Sequence, residues 1–64
     1  MIFSDVFRLV KMKTDINIYV NRYLLIKINY DTPIEKIDAN LLNLEVIYIT
    51  AIDFRTIEIG LKGD

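Results

Sequence analysis

The sequence contains no cysteine, no histidine and no tryptophan, and only two glycines and one proline among its 64 residues. Without cysteine there are no disulfides and no thiolate metal sites. Without histidine the commonest transition-metal ligand and the commonest general base are missing. One serine and four threonines remain as hydroxyl nucleophiles, with no base of the usual kind to activate them. With only Gly60 and Gly63, nothing resembles a glycine-rich loop that cradles phosphate. Long hydrophobic runs are also absent. The longest nearly apolar stretch runs from Val46 to Ile52 and is interrupted by Thr50, far short of the roughly 20 residues of a membrane helix. These absences argue against an enzyme and imply no cofactor and no metal.

What is present is apolar bulk. Hydrophobic residues make up 53% of the chain, against an ordinary share of roughly 45–50%. A chain of this length is one domain, and such a domain buries only roughly 60% of the surface that its unfolded form exposes. Small domains without staples commonly gain stability by association. The surplus apolar surface is therefore expected to meet another chain, either a second copy or a larger protein.

Net charge is −1, so no global pull toward nucleic acid or an anionic membrane is expected. The charge is nonetheless unevenly spread. Residues 1–32 carry five basic and three acidic side chains (+2), and residues 33–64 carry three basic and six acidic (−3). Arg8, Lys11, Lys13, Arg22 and Lys27 could form a basic face, although ordinary scatter over a solvated surface is the simpler explanation. The opening segment MIFSDVF carries an acid and no small-residue cleavage site, so it does not read as a secretory leader. A cytoplasmic location is expected. Ile, Asn, Lys, Tyr and Phe account for 29 residues, whereas Gly, Ala, Pro and Arg total 8. That bias suits an AT-rich gene and suggests an AT-rich microbe, its phage or its plasmid as the source.

The first half reads as a helix followed by a hairpin. Phe3, Val6, Phe7 and Val10 follow the i, i+3, i+4, i+7 spacing of one helical face, with Ser4 placed to cap a helix over 4–12. Asp5 and Lys11 suit its macrodipole. Phe3, Phe7 and Leu9 also fit period two, so a strand competes here. From Asp15 the period changes to two: Ile16, Ile18 and Val20 alternate with Asn17 and Tyr19. Asn21-Arg22 makes a tight turn, and Leu24, Ile26, Ile28 and Tyr30 alternate in a second strand.

The second half repeats the order. Thr32, Pro33 and Glu35 stand as N-cap, first helical residue and capping-box acid of a helix from 33 to about 42, with Ile34, Ile37, Leu41 and Leu44 on one face. Leu44 to Ala51 is apolar on both sides, as in a central strand covered twice. Ile47, Ile49 and Ala51 fall on one face, and Leu44, Val46 and Tyr48 on the other. A turn at Asp53-Phe54 leads to a last strand in which Ile57, Ile59 and Leu61 alternate with polar residues and Gly60, and Gly63-Asp64 reads as a frayed end. The fold class is α+β, a small β-rich domain of order α-β-β-α-β-β with a four-stranded antiparallel sheet. If the first segment is a strand, the order becomes that of a five-stranded OB- or SH3-like barrel with one helix.

Two functional expectations follow. The first is a non-enzymatic protein-interaction module, self-associating as a homodimer, with Leu25, Val46 and Tyr48 as interface candidates because they lie on the face away from the helices. A modulator of a host protein, carried by a phage or plasmid, fits that reading. The second belongs to the barrel alternative. Tyr19, Arg22, Tyr23 and Lys27 on the first hairpin could stack and pair with single-stranded nucleic acid. Asp31, Glu35 and Asp38 are explained as capping acids rather than a magnesium site.

Overall fold

The computed structural model describes residues 1–10 and 13–63. Lys11, with its expected place at a helix end and on a basic face, and Asp64 in the expected frayed end lie outside the described residues. The segment Phe3–Leu9 forms α1, a helix as its apolar spacing predicts. Asp5 rather than Ser4 secures its start, accepting a hydrogen bond from the Ile2 amide at 3.3 Å. Val10 is extended (φ −69°, ψ 130°) and ends the helix earlier than the spacing alone implies. Phe3 and Val6 are buried, and the Phe3 ring meets Phe7 edge to face at 5.9 Å and 82°.

The first alternating segments form β1 (Asp15–Val20) and β2 (Tyr23–Ile28). They are joined through Asn21 and Arg22 at φ 53° and 71°. Two successive left-handed residues make the hairpin turn whose twist matches its strands, a turn normally built from Asn-Gly. Arg22 lacks glycine's freedom, and the left-handed region costs such a residue about 1–2 kcal/mol.

Beyond β2 the expected helix over 33–42 is divided. Ile34–Lys36 is a single 3-10 turn, and Ala39–Leu42 forms α2. Pro33 is extended (φ −72°, ψ 150°) and no side chain caps the 3-10 turn, so Thr32 does not act as the expected cap. Asp38 takes that role further on, accepting from the Asn40 amide at 2.8 Å. The apolar spacing still delivers its burial, because Ile37 and Leu41 both enter the core.

The last hairpin is β3 (Val46–Asp53) and β4 (Thr56–Leu61), with the turn at Phe54-Arg55 and Asp53 accepting from the Arg55 amide at 2.8 Å. The strand order is β2-β1-β4-β3. Each hairpin is antiparallel, but β1 and β4 pair in parallel at the centre, so the sheet is mixed rather than wholly antiparallel. The physical reason is burial. Ile16, Ile18 and Val20 on β1 and Ile57, Ile59 and Leu61 on β4 present the most regular aliphatic faces, and joining them places both under the helices. The connection from β1 to β4 is long enough for the crossover that parallel pairing requires. This arrangement puts β3 at an edge, contrary to the central place its two apolar faces imply. The sheet does not close. With α1 helical and β2 and β3 at opposite edges, the five-stranded barrel is excluded.

The helix side is built in cross-strand rows. Ile26, Ile18, Ile59 and Ile49 stand side by side across the four strands. Ile18 and Ile59 are fully buried, whereas Ile26 and Ile49 at the two edges remain 44% and 48% exposed. Helices of seven and four residues cover only the middle of the sheet. Phe3, Val6, Ile28, Ile37, Leu41 and Leu61 complete the core with Ile16.

Candidate functional site

The face of the sheet away from the helices carries two parallel rows. One runs Leu24, Tyr19, Gly60, Tyr48 from edge to edge, and the next runs Lys27, Asn17, Glu58, Thr50. Strand alternation puts them on one side, and β1 and β4 hold them in strict register. Gly60 is the pivot of the first row. The Tyr48 ring lies directly over its backbone, where any side chain at position 60 would collide with it. The Tyr48 hydroxyl donates to a Glu58 carboxylate oxygen at 2.6 Å. That bond, followed by desolvation and by the nearby charges of Glu58 and Tyr19, raises the Tyr48 pKa above its ordinary 10.0.

A groove of about 390 Å³ opens beside this row, lined by Tyr19, Asn21, Arg22, Ile47, Tyr48, Gly60 and Leu61. The hairpin tip, Asn21 and Arg22, forms one rim. Glu58 lies two residues before Gly60 on β4, toward the opposite end. The groove therefore has an aromatic floor, a guanidinium at one end and a carboxylate toward the other.

The edges form a second feature. Three pairing irregularities leave Leu25, Ile47 and Ile52 without cross-strand partners, all on the two edge strands and all exposed. Along β3, Ile47, Ile49 and Ile52 are exposed and the strand carries no charge until Asp53. Met1 and Ile2 cover the start of its outer edge, where the Val46 amide donates to the Met1 carbonyl at 2.8 Å and Ile2 bridges Glu45. Beyond Val46 that edge pairs with nothing among the described residues.

The three expected interface residues are not brought together. Leu25 sits on the β2 edge, across the sheet from Tyr48. Val46 pairs with the buried Leu61 and packs against the core, while Tyr48 pairs with Gly60 on the open face. The expectation that Val46 and Tyr48 share a face is corrected by the bulge at Ile47, which reverses the alternation between them. Of the nucleic-acid candidates, Tyr19 and Arg22 line the groove and Lys27 shares its face, but Tyr23 pairs with Val20 on the helix side. Gly60 and Glu58 were not singled out from sequence. The available signal was a glycine inside a strand pattern, which marks close approach or a bulge.

No family model matches the chain, and comparison with curated proteins and solved structures gave no match. Among the described residues no group of three His, Cys, Asp or Glu side chains is placed to hold a metal ion. Among the described residues no helix is long and apolar enough to cross a membrane.

Proposed function

We propose that this chain is a non-enzymatic protein-interaction module that self-associates through edge strand β3. The observation supporting this reading is the character of that strand. Ile47, Ile49 and Ile52 are exposed along it, its outer edge is unpaired beyond Val46 among the described residues, and no charge interrupts it before Asp53. Edge strands that avoid association carry a charge or proline in their interior. Strand β2, with Lys27 within it, is protected in that way, and β3 is not. An edge of this kind can add a strand from another chain, with backbone hydrogen bonds supplying affinity and alternate side chains supplying selectivity. A cytoplasmic modulator of a host protein, carried by an AT-rich phage or plasmid, would use the same edge against a larger partner.

Sedimentation velocity over a wide concentration range, with circular dichroism as control, tests this reading. The wild type is expected to shift toward a dimer with concentration, and Ile49→Lys to remain a monomer with unchanged secondary structure. A wild type that stays monomeric at high micromolar concentration overturns self-association.

A further inference from the structure

Arg22 stands in a conformation that glycine is suited to occupy. Its φ of 71° puts it in the left-handed region at the second central position of the hairpin turn, where an arginine is strained. Residues held in sparsely populated backbone regions gather at ligand sites, so such an outlier invites a functional explanation. One is at hand, because Arg22 lines the groove over Gly60.

The groove's other walls define what could lie there. Tyr19 stands beside Gly60 in one cross-strand row, and the Tyr48 ring lies over the Gly60 backbone, so two aromatic side chains line the groove with no side chain between them. Aromatic side chains on a sheet face bind planar rings by stacking, and any base presents such a face. The guanidinium at the rim is a rigid fork suited to an anionic group. Glu58, hydrogen-bonded to Tyr48 and farther along β4 from the hairpin tip, repels an anion there and sets the orientation, ring against Tyr19 and Tyr48 and anion toward Arg22. A volume of about 390 Å³ falls within the range of small-ligand clefts.

We propose that this groove binds a planar ring joined to an anionic group, in the form of a nucleotide unit, either free or within a single strand. Arg22 takes the phosphate, Tyr19 and Tyr48 take the base, and the strained turn is the cost of placing a guanidinium where glycine would fold better. The groove shares Ile47 with the exposed edge of β3, but the groups assigned to the ligand are Tyr19, Arg22 and Tyr48, none of which is used in the edge association proposed above.

The test is amide chemical-shift titration of the ¹⁵N-labelled protein with adenosine 5′-monophosphate, adenosine, inorganic phosphate and a short oligodeoxyadenylate. The monophosphate is expected to shift the Tyr19, Tyr48 and Gly60 signals saturably. Adenosine and phosphate alone are each expected to bind about tenfold or more weakly, as the loss of one contact worth about 1.4 kcal/mol implies. Arg22→Gly is expected to melt at a higher temperature than wild type and yet bind the monophosphate about tenfold less tightly. Tyr19→Leu is expected to lose the same affinity without the gain in stability. A strand that binds more tightly than the monophosphate identifies single-stranded nucleic acid as the source, and equal affinity identifies free nucleotide. Three results would overturn the proposal: no saturable shift with monophosphate or strand, adenosine binding as tightly as its monophosphate, or undiminished binding by Arg22→Gly.

Discussion

Gly60 is buried although it lies on the sheet face away from the helices, because the Tyr48 ring covers it. The contact is a cross-strand pair in which the absent side chain is the useful part. Gly60→Ala places a methyl group inside the ring's position and forces Tyr48 to swing out or β3 to shift. Overpacking of this kind costs about 1–3 kcal/mol, and denaturant unfolding of the variant is expected to show a loss in that range. Tyr48 makes a second prediction. Its raised pKa means that the folded state holds the phenolic proton more tightly than the unfolded chain. The resulting stability is fully present below the unfolded value near pH 10 and is lost as pH rises through the higher folded value. Tyr48→Phe cannot lose that proton, so its unfolding free energy is expected to fall less steeply than that of wild type above about pH 10. Parallel alkaline slopes for the two proteins would show that the Glu58 hydrogen bond does not persist in solution.

At the scale of elements, the chain between β2 and β3 makes the sharpest distinction. Thr32-Pro33-Ile34-Glu35 carries every local mark of a helix start, yet Ile37 (φ −96°, ψ 134°) and Asp38 (φ −54°, ψ 128°) are extended and separate the 3-10 turn from α2. Asp38 supplies the side-chain cap instead. Removing a working N-cap costs about 0.5–2 kcal/mol, so Asp38→Ala is expected to destabilise the domain within that range and Thr32→Ala markedly less. Equal losses in urea unfolding would restore the longer helix. This segment shows what was legible in the sequence and what was not. Periodicity identified the buried residues Ile37 and Leu41 correctly, because burial depends on spacing, which a 3-10 turn and a short helix preserve nearly as well as one helix. The hairpin at Asn21-Arg22 and the alternation in β1 and β4 were equally legible, being set within a few residues. In β2 the bulge at Leu25 instead puts Leu24 on the face opposite Ile26 and Ile28 rather than with them. The parallel β1–β4 pairing was not, since no local signal encodes which hairpin edges meet. The bulges were also hidden. One extra residue at Ile47 reverses the faces of Val46 and Tyr48, and the Gly60–Tyr48 contact that frames the groove depends on that reversal.

At the scale of the whole molecule the sheet is wider than its cover. Its central isoleucines, Ile18 and Ile59, are fully buried, but the same row ends in Ile26 and Ile49, both roughly half exposed. Sealing one such residue from water contributes about 0.75–1.5 kcal/mol, half of the value for complete burial of a large aliphatic side chain. For a domain of 64 residues, whose total stability is of the order of 5 kcal/mol, that is a substantial share. Strand β3 concentrates Ile47, Ile49 and Ile52 on one edge, so a second copy paired there would recover such burial several times over. If folding and association are coupled in this way, thermal stability must depend on concentration. Each tenfold increase in concentration adds about 1.4 kcal/mol per dimer. With an unfolding entropy of about 2.1 cal/mol/K per residue over two chains, the melting temperature is expected to rise by roughly 5 °C per tenfold. Differential scanning calorimetry across two decades of concentration measures that slope. Ile49→Lys is expected to abolish it, because a charge buried in a desolvated contact is costly while the same charge facing water is nearly free. A wild-type melting temperature independent of concentration would mean that the monomer is stable with its edges bare, and that β3 awaits a different chain.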